Sequence, residues 1–210
     1  MKKFCFLYIL IAVMFFSACS NNGTDGQPPY RVHLEIVAGS NPAYANAHVY
    51  DSKGAFIRTA DVKIDGISVV IQSSSNNYYA SLGTVWSSGS VHQYSITTPD
   101  GVNETGTISK PVGSLTGVTY SPLHTISTIY TVSPPAGQWP PGSYIRCSVV
   151  NNGNYGYTRF PSGTADEIFA ESRFSGATSI SFYSALMNQI QLPKFLSGSY
   201  VRVIGDQTSW

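Results

Sequence analysis

From residue 30 onward apolar side chains recur at every second position, and almost nowhere does the 3.6-residue period of an amphipathic helix take over. A two-residue period sends alternate side chains to opposite faces of an extended chain. Such a sequence buries its apolar half by stacking pleated sheets. Arg31-Val32-His33-Leu34-Glu35-Ile36-Val37 puts Val32, Leu34 and Ile36 on one face. Asp51-Ser52-Lys53-Gly54 is a turn quartet with aspartate first and glycine last. Asp65-Gly66, between alternating runs at 60–64 and 67–71, is the strongest short-range hairpin signal in the chain. Pro99-Asp100-Gly101 joins a further pair, 91–97 and 102–108. Short strands with turn signals every eight to twelve residues or so predict a β-sandwich.

Ala47-His48-Val49-Tyr50-Asp51-Ser52-Lys53-Gly54, then Thr59-Ala60-Asp61-Val62-Lys63-Ile64-Asp65-Gly66, then Asn77-Tyr78-Tyr79, resembles the immunoglobulin-like domains of bacterial surface lipoproteins. The resemblance covers about residues 30–110. It implies a fold and carries no catalytic or ligand residue. The second half continues in the same manner after a boundary at Lys110-Pro111-Val112-Gly113-Ser114. Trp139-Pro140-Pro141-Gly142 reads as a rigid turn before a strand through Cys147, and a Tyr155-Gly156-Tyr157 strand follows. Thr164 with Glu167 forms a capping box and predicts two helical turns over 164–171. Strands return at 179–183, 189–192 and 199–204, where 192–203 resembles the closing hairpin of a fibronectin-type sandwich.

Lys2 and Lys3 precede an apolar run from Phe4 to Phe16. That is the size of a signal-peptide core and too short for a membrane-spanning helix of about 20 residues. Phe16-Ser17-Ala18-Cys19 resembles the lipobox of bacterial lipoproteins, with Phe16 where leucine is commonest. The resemblance implies cleavage before Cys19 and acylation of that cysteine. Residues 20–29 hold no side chain suited to packing and read as a tether. The expected organisation is therefore all-β: tandem immunoglobulin-like β-sandwiches after a cleaved N-terminal signal helix. Residues 1–18 are the lipoprotein signal peptide, 19–29 a flexible tether, 30–112 the first sandwich and 113–210 a second, divergent one. A single larger sandwich is the competing arrangement.

Without Lys2 and Lys3 the chain carries ten basic residues against eleven acidic ones, a formal charge of −1. No electrostatic footprint for nucleic acid or anionic lipid results, so the membrane is reached through the lipid on Cys19. Charged residues make up 11% of the chain, well under the roughly 25% usual in soluble domains. Hydroxyl, amide and tyrosine side chains replace them, as suits an extracytoplasmic β-protein. Cys5 departs with the signal and Cys19 takes the lipid, leaving Cys147 without a disulfide partner in its own chain. Inside a strand it reads as a small buried hydrophobe.

The sequence contains no His-x-x-x-His, no Cys-x-x-Cys, no phosphate loop and no Gly-x-Ser-x-Gly elbow. His33, His48, His92 and His124 lie in or beside predicted strands, and His33 and His48 can face each other across a pair. Asp61 and Asp65 are about 13 Å apart along a strand, too far to share a metal or a proton. Asp100 is a turn former, with Glu104 on the strand beyond. Asp166, Glu167 and Glu171 suit a helix start. No catalytic residue, cofactor or metal site is expected. Aromatics are the remaining signal for binding: Tyr78, Tyr79 and Trp86 cluster in one stretch, and Tyr155 and Tyr157 share a strand face near Trp139. Trp139, Tyr155 and Tyr157 are the candidate ligand residues. The expectation is a non-catalytic, lipid-anchored envelope protein, of the outer membrane where the cell has one. Its partner would be a glycan or another envelope protein. The competing expectation is a hydrolase or carbohydrate-processing accessory with a site assembled from separate strands.

Overall fold

The computed structural model describes residues 29–121 and 128–209. The signal segment, Cys19, residues 20–28 of the tether and His124 lie outside the described residues. Every regular element described is a strand, apart from two 3-10 turns at Pro135–Gly137 and Ser172–Phe174. The all-β expectation holds. In the first half run Tyr30–Val37 (β1), Tyr44–Asp51 (β2), Asp61–Ile64 (β3), Ile67–Ser68 (β4), Val70–Ile71 (β5), Tyr78–Ser81 (β6), Val91–Thr97 (β7) and Asn103–Ser109 (β8). The second half adds Thr119–Ser121 (β9), Tyr130–Ser133 (β10), Ser143–Val150 (β11), Asn154–Arg159 (β12) and Glu167–Phe169 (β13). Ser179–Gln191 (β14), Tyr200–Ile204 (β15) and Thr208–Ser209 (β16) complete it.

The turn chemistry places the hairpins where the sequence puts them. Asp65 and Gly66 adopt φ values of 49° and 78°, the left-handed pair that a two-residue hairpin turn needs. Asp51 Oδ1 accepts hydrogen bonds from the Lys53 and Ala55 amides at 2.9 and 2.8 Å, closing its quartet. Alternation in β1 sends Val32, Leu34 and Ile36 inward, fully buried, and His33 and Glu35 outward.

A nine-stranded sheet runs β12-β11-β14-β15-β1-β2-β6-β5, with β16 beside β14. Two smaller sheets, β4-β3-β7-β8 and β13-β10-β9, pack on it. The first core joins Val32, Leu34 and Ile36 to Val62, Ile64, Tyr94 and Ile96. The second joins Ile145, Cys147, Val149 and Phe182 to Tyr120, Tyr130, Val132 and Phe169. Sheet on sheet around an apolar layer is a sandwich-like arrangement. Both small sheets lie on the same face of the large one. Along β14, Phe182 and Leu186 enter the second core, and Asn188, of the same parity, donates to the Ser109 carbonyl of β8 at 2.9 Å.

β14 is a single strand where the sequence predicts two. Ser184-Ala185-Leu186-Met187-Asn188 holds no glycine or proline to break the strand, so the chain runs on for 13 residues. Its first eight residues pair with β11 and its last five with β15. β15 lies parallel to β1, in register His33↔Tyr200 to Val37↔Ile204. Leu192, Phe195, Val201 and Val203 thereby enter the first core, and Ser199 Oγ accepts from the buried Val32 amide at 3.0 Å. The closing hairpin thus completes the core of residues 30–110 rather than that of the segment it follows.

One expectation is corrected. Residues 164–171 are not helical: Glu167–Phe169 is β13, antiparallel to β10. Two helical turns are marginal because nucleation is costly. Pairing with β10 buries Phe169 completely, its ring edge-on to Phe182 at 5.3 Å.

Candidate functional site

The residues the sequence singles out for binding are largely occupied by packing. Trp139 is 2% exposed, and its Nε1–H donates to the Ala165 carbonyl at 2.7 Å. Tyr155 and Tyr157 are half-buried against the second core. The Arg173 guanidinium lies 4.5 Å from the Tyr155 ring centre, and Phe174 meets Tyr157 edge-on. Tyr155 and Tyr157 share a strand face, but Trp139 adds no exposed ring to them. Tyr78 and Trp86 are buried in the first core. Cys147 is buried too, and burial pushes its thiol up to about 12, which keeps it protonated and inert.

The opposite face of the nine-stranded sheet carries rings instead of a second layer among the described residues. Outward positions of β1, β2, β6 and β15 are His33, Tyr44, His48, Tyr50, Tyr79, Tyr200 and Arg202. His33 and His48 are direct cross-strand partners. His33 stacks on Tyr200 at 4.7 Å and 9°, and His48 on Tyr50 at 6.1 Å and 3°. Arg202 lies 4.0 Å from the Tyr200 ring and 5.1 Å from that of Phe160. Its guanidinium stands 3.8 Å from Glu35. Phe160 reaches Tyr144, beside a small buried cluster of Val37, Tyr144, Ala185 and Ile204 on this same outer face. Burial lowers the pKa of His33, helped by the Arg31 and Arg202 cations and by the neighbouring His48. Burial also lowers that of His48, against the pull of Glu35. Both rings are therefore neutral at pH 7, which favours their stacking. No group of three or more metal-ligating side chains occurs among the described residues.

A second constellation sits at the end of the first core, and sequence reading missed it. His92 Nδ1 is 2.6 Å from Asp65 Oδ2, and His92 Nε2 is 2.7 Å from Ser90 Oγ. A carboxylate only accepts, so Nδ1 carries a proton, and in the neutral ring Nε2 accepts from the serine hydroxyl. Asp65 is fixed by its hairpin turn, and its other oxygen accepts the Gln93 amide at 2.8 Å. The His92 ring lies flat on Trp86, centroids 3.3 Å apart at 6°. Trp86 is held in turn by the buried Lys110 ammonium, which donates to its carbonyl at 2.8 Å and to Asp206 at 2.7 Å. Ser90 ends the Ser87–Ser90 turn, whose Gly89 has φ 74°. The signal available in the sequence was Ser-x-His entering a strand, opposite an Asp-Gly hairpin. Only strand register brings Asp65 to His92.

A groove of about 460 Å³ lies between Lys63, Gln93, Ser95 and Thr107 on the outer face of the four-stranded sheet. Gln93 and Ser95 point oppositely to His92, so this groove and the relay meet only at Asp65. No helix among the described residues is long and apolar enough to cross a membrane. No family model and no curated protein sequence matches this chain.

Proposed function

We propose that this chain is a lipid-anchored envelope protein, its tandem immunoglobulin-like sandwiches serving as a binding or spacer module of the cell surface. The signal helix is removed before Cys19, acyl chains on Cys19 hold the membrane, and residues 20–29 form the tether. One acyl chain anchors only reversibly, so stable attachment needs more than one. The observation that carries the binding half is the ringed face of the nine-stranded sheet. Both small sheets cover the other side, leaving Tyr44, Tyr79, Tyr200 and the 52%-exposed Phe160 for a partner. Aromatic side chains with polar tips are enriched at recognition surfaces. A glycan or an envelope protein is the partner expected, and the outer membrane the location where the cell has one.

The anchor supports this role mechanically. The tether leads directly into β1, which lies between β15 and β2 near the middle of the large sheet. A pull from the bilayer is then shared by ladders on both sides of β1.

Labelling cells with radioactive palmitate tests the anchor. Wild-type protein is expected to take up label and sediment with membranes, and Cys19→Ala to do neither. Identical fractionation of the two would sink the reading. The binding half is tested by retention of the chain on isolated envelope glycans and proteins. Loss of retention in a Tyr200→Ala, Phe160→Ala double variant is expected.

A further inference from the structure

The geometry points to a serine nucleophile at Ser90, with His92 as general base and Asp65 as its positioning residue, able to hydrolyse esters of small apolar acyl groups. This goes beyond the binding reading and is independent of it. The three hydrogen-bonded side chains follow the order that acyl transfer requires: hydroxyl, Nε2, then Nδ1–H to a carboxylate. They come from the β3–β4 turn and the start of β7, two segments joined only by the fold.

Three features distinguish this chain of bonds from an ordinary surface contact. The first is its support. His92 is fixed by Trp86 on its face and Asp65 on its edge, and Trp86 by the buried Lys110, which Asp206 neutralises. An active site needs such a shell to hold its groups within a fraction of an ångström. The second is access. The His92 side chain keeps 15% of its surface exposed, and Ser90 is only partly buried. The third is the rim. Val112, which approaches Gly89 immediately before Ser90, is 76% exposed. An exposed apolar side chain beside a polar relay is suited to a small acyl group.

The reaction balances with an ester and water alone. Ser90 Oγ attacks the ester carbonyl while His92 Nε2 takes the hydroxyl proton. The carbonyl–alkoxy bond breaks, and the leaving alkoxide departs with that proton, leaving acyl-Ser90. Water then gives a proton to Nε2 and attacks the acyl carbon. The Oγ–acyl bond breaks, the carboxylic acid leaves and Ser90 recovers its proton. In the ladder, Ser90 bonds toward Lys110 of the β8 side and Gln93 toward Asp65. Alternation therefore directs the Val91 N–H toward the β3 side, past the end of that strand, and the proposal takes it as the main-chain donor to the oxyanion.

The test uses the full chain in detergent with a fluorophosphonate probe and p-nitrophenyl acetate and butyrate. Intact-mass and peptide analysis is expected to place one phosphonate on Ser90, with no adduct on Ser90→Ala. Ester turnover is expected to fall about 100-fold or more in His92→Gln, the usual scale for a lost general base. Asp65→Asn keeps the turn and the Gln93 bond but loses the charge, so its pH–rate profile should shift along the pH axis. Absence of a Ser90 adduct on folded wild-type protein, under conditions that label a known serine esterase, overturns the proposal. So does turnover that persists in Ser90→Ala. Variants that lose stability while wild-type protein shows no adduct would assign the relay to holding the hairpin alone. Palmitate labelling and glycan retention stay unaffected by either result.

Discussion

The two cores of this molecule solve the same burial problem with different residues. The first is mainly aliphatic, with Val32, Leu34, Ile36, Ala43, Ala45, Ala47 and Val49 all fully buried and only Tyr78, Trp86, Tyr94 and Phe195 adding rings among the buried residues described for it. The second is a cluster of rings, with Phe169 edge-on to Phe182 at 5.3 Å and Tyr130 edge-on to Phe174 at 5.2 Å. Strand length explains the contrast. β1 and β2 have eight residues each and supply a row of inward positions, whereas β9 and β13 have three and supply one or two. A short strand must cover its area with large side chains, and an aromatic buries about 150–250 Å². Long strands make a core by repetition, short ones by size.

The largest test of that contrast is a pair of truncations. Phe182→Ala is expected to cost about 3–5 kcal/mol and Leu34→Ala about 2–5, both read by urea denaturation. Because β14 runs through both halves and β15 returns to β1, either change should lower a single transition. Trp86 reports the first core and Trp139 the second, so variants with Trp210 replaced and only one of these two retained give the two readouts. Separate midpoints would show that β14 does not couple the cores.

A smaller effect follows from the histidines outside the first core. Their pKa values are lowered in the folded state, so unfolding takes up protons as pH falls below the free-histidine value of about 6.5. Stability is complete above that pH and declines as the solution is acidified through the folded-state values. The urea midpoint should therefore drop between pH 7 and pH 5, and His33→Gln with His48→Gln should flatten that slope. An unchanged slope would remove burial as the cause. The second core holds no histidine among the residues described for it, so its local protection from hydrogen exchange should vary less over this range.

The smallest expected effect is an absence of reaction. The Cys147 thiol, pushed up to about 12, should resist maleimide at pH 8 in native protein and react in urea, as read by peptide mapping. Rapid native labelling would mean that the second core opens far more readily than the first.

The legible parts of the fold are those governed by local chemistry. Asp65-Gly66 and Pro99-Asp100-Gly101 predicted their hairpins because only certain residues accept the required φ angles. Val32, Leu34 and Ile36 predicted an inward row because alternation is a property of the strand itself. Residues 164–171 misled because a capping box is a local preference worth about 1 kcal/mol, less than burying Phe169. The continuity of β14 was hidden because nothing in residues 184–188 says which neighbours it will have.

The amino-acid sequence by itself determined that this chain would be pleated, where it would turn, and which N-terminal cysteine resembles a lipid site. Those are properties of single residues and their near neighbours. Only the tertiary structure decided that β15 would lie parallel to β1, that His33 would face His48, and that Asp65 would meet His92. Each depends on register between segments separated in the chain, set by the cooperative burial of whole faces.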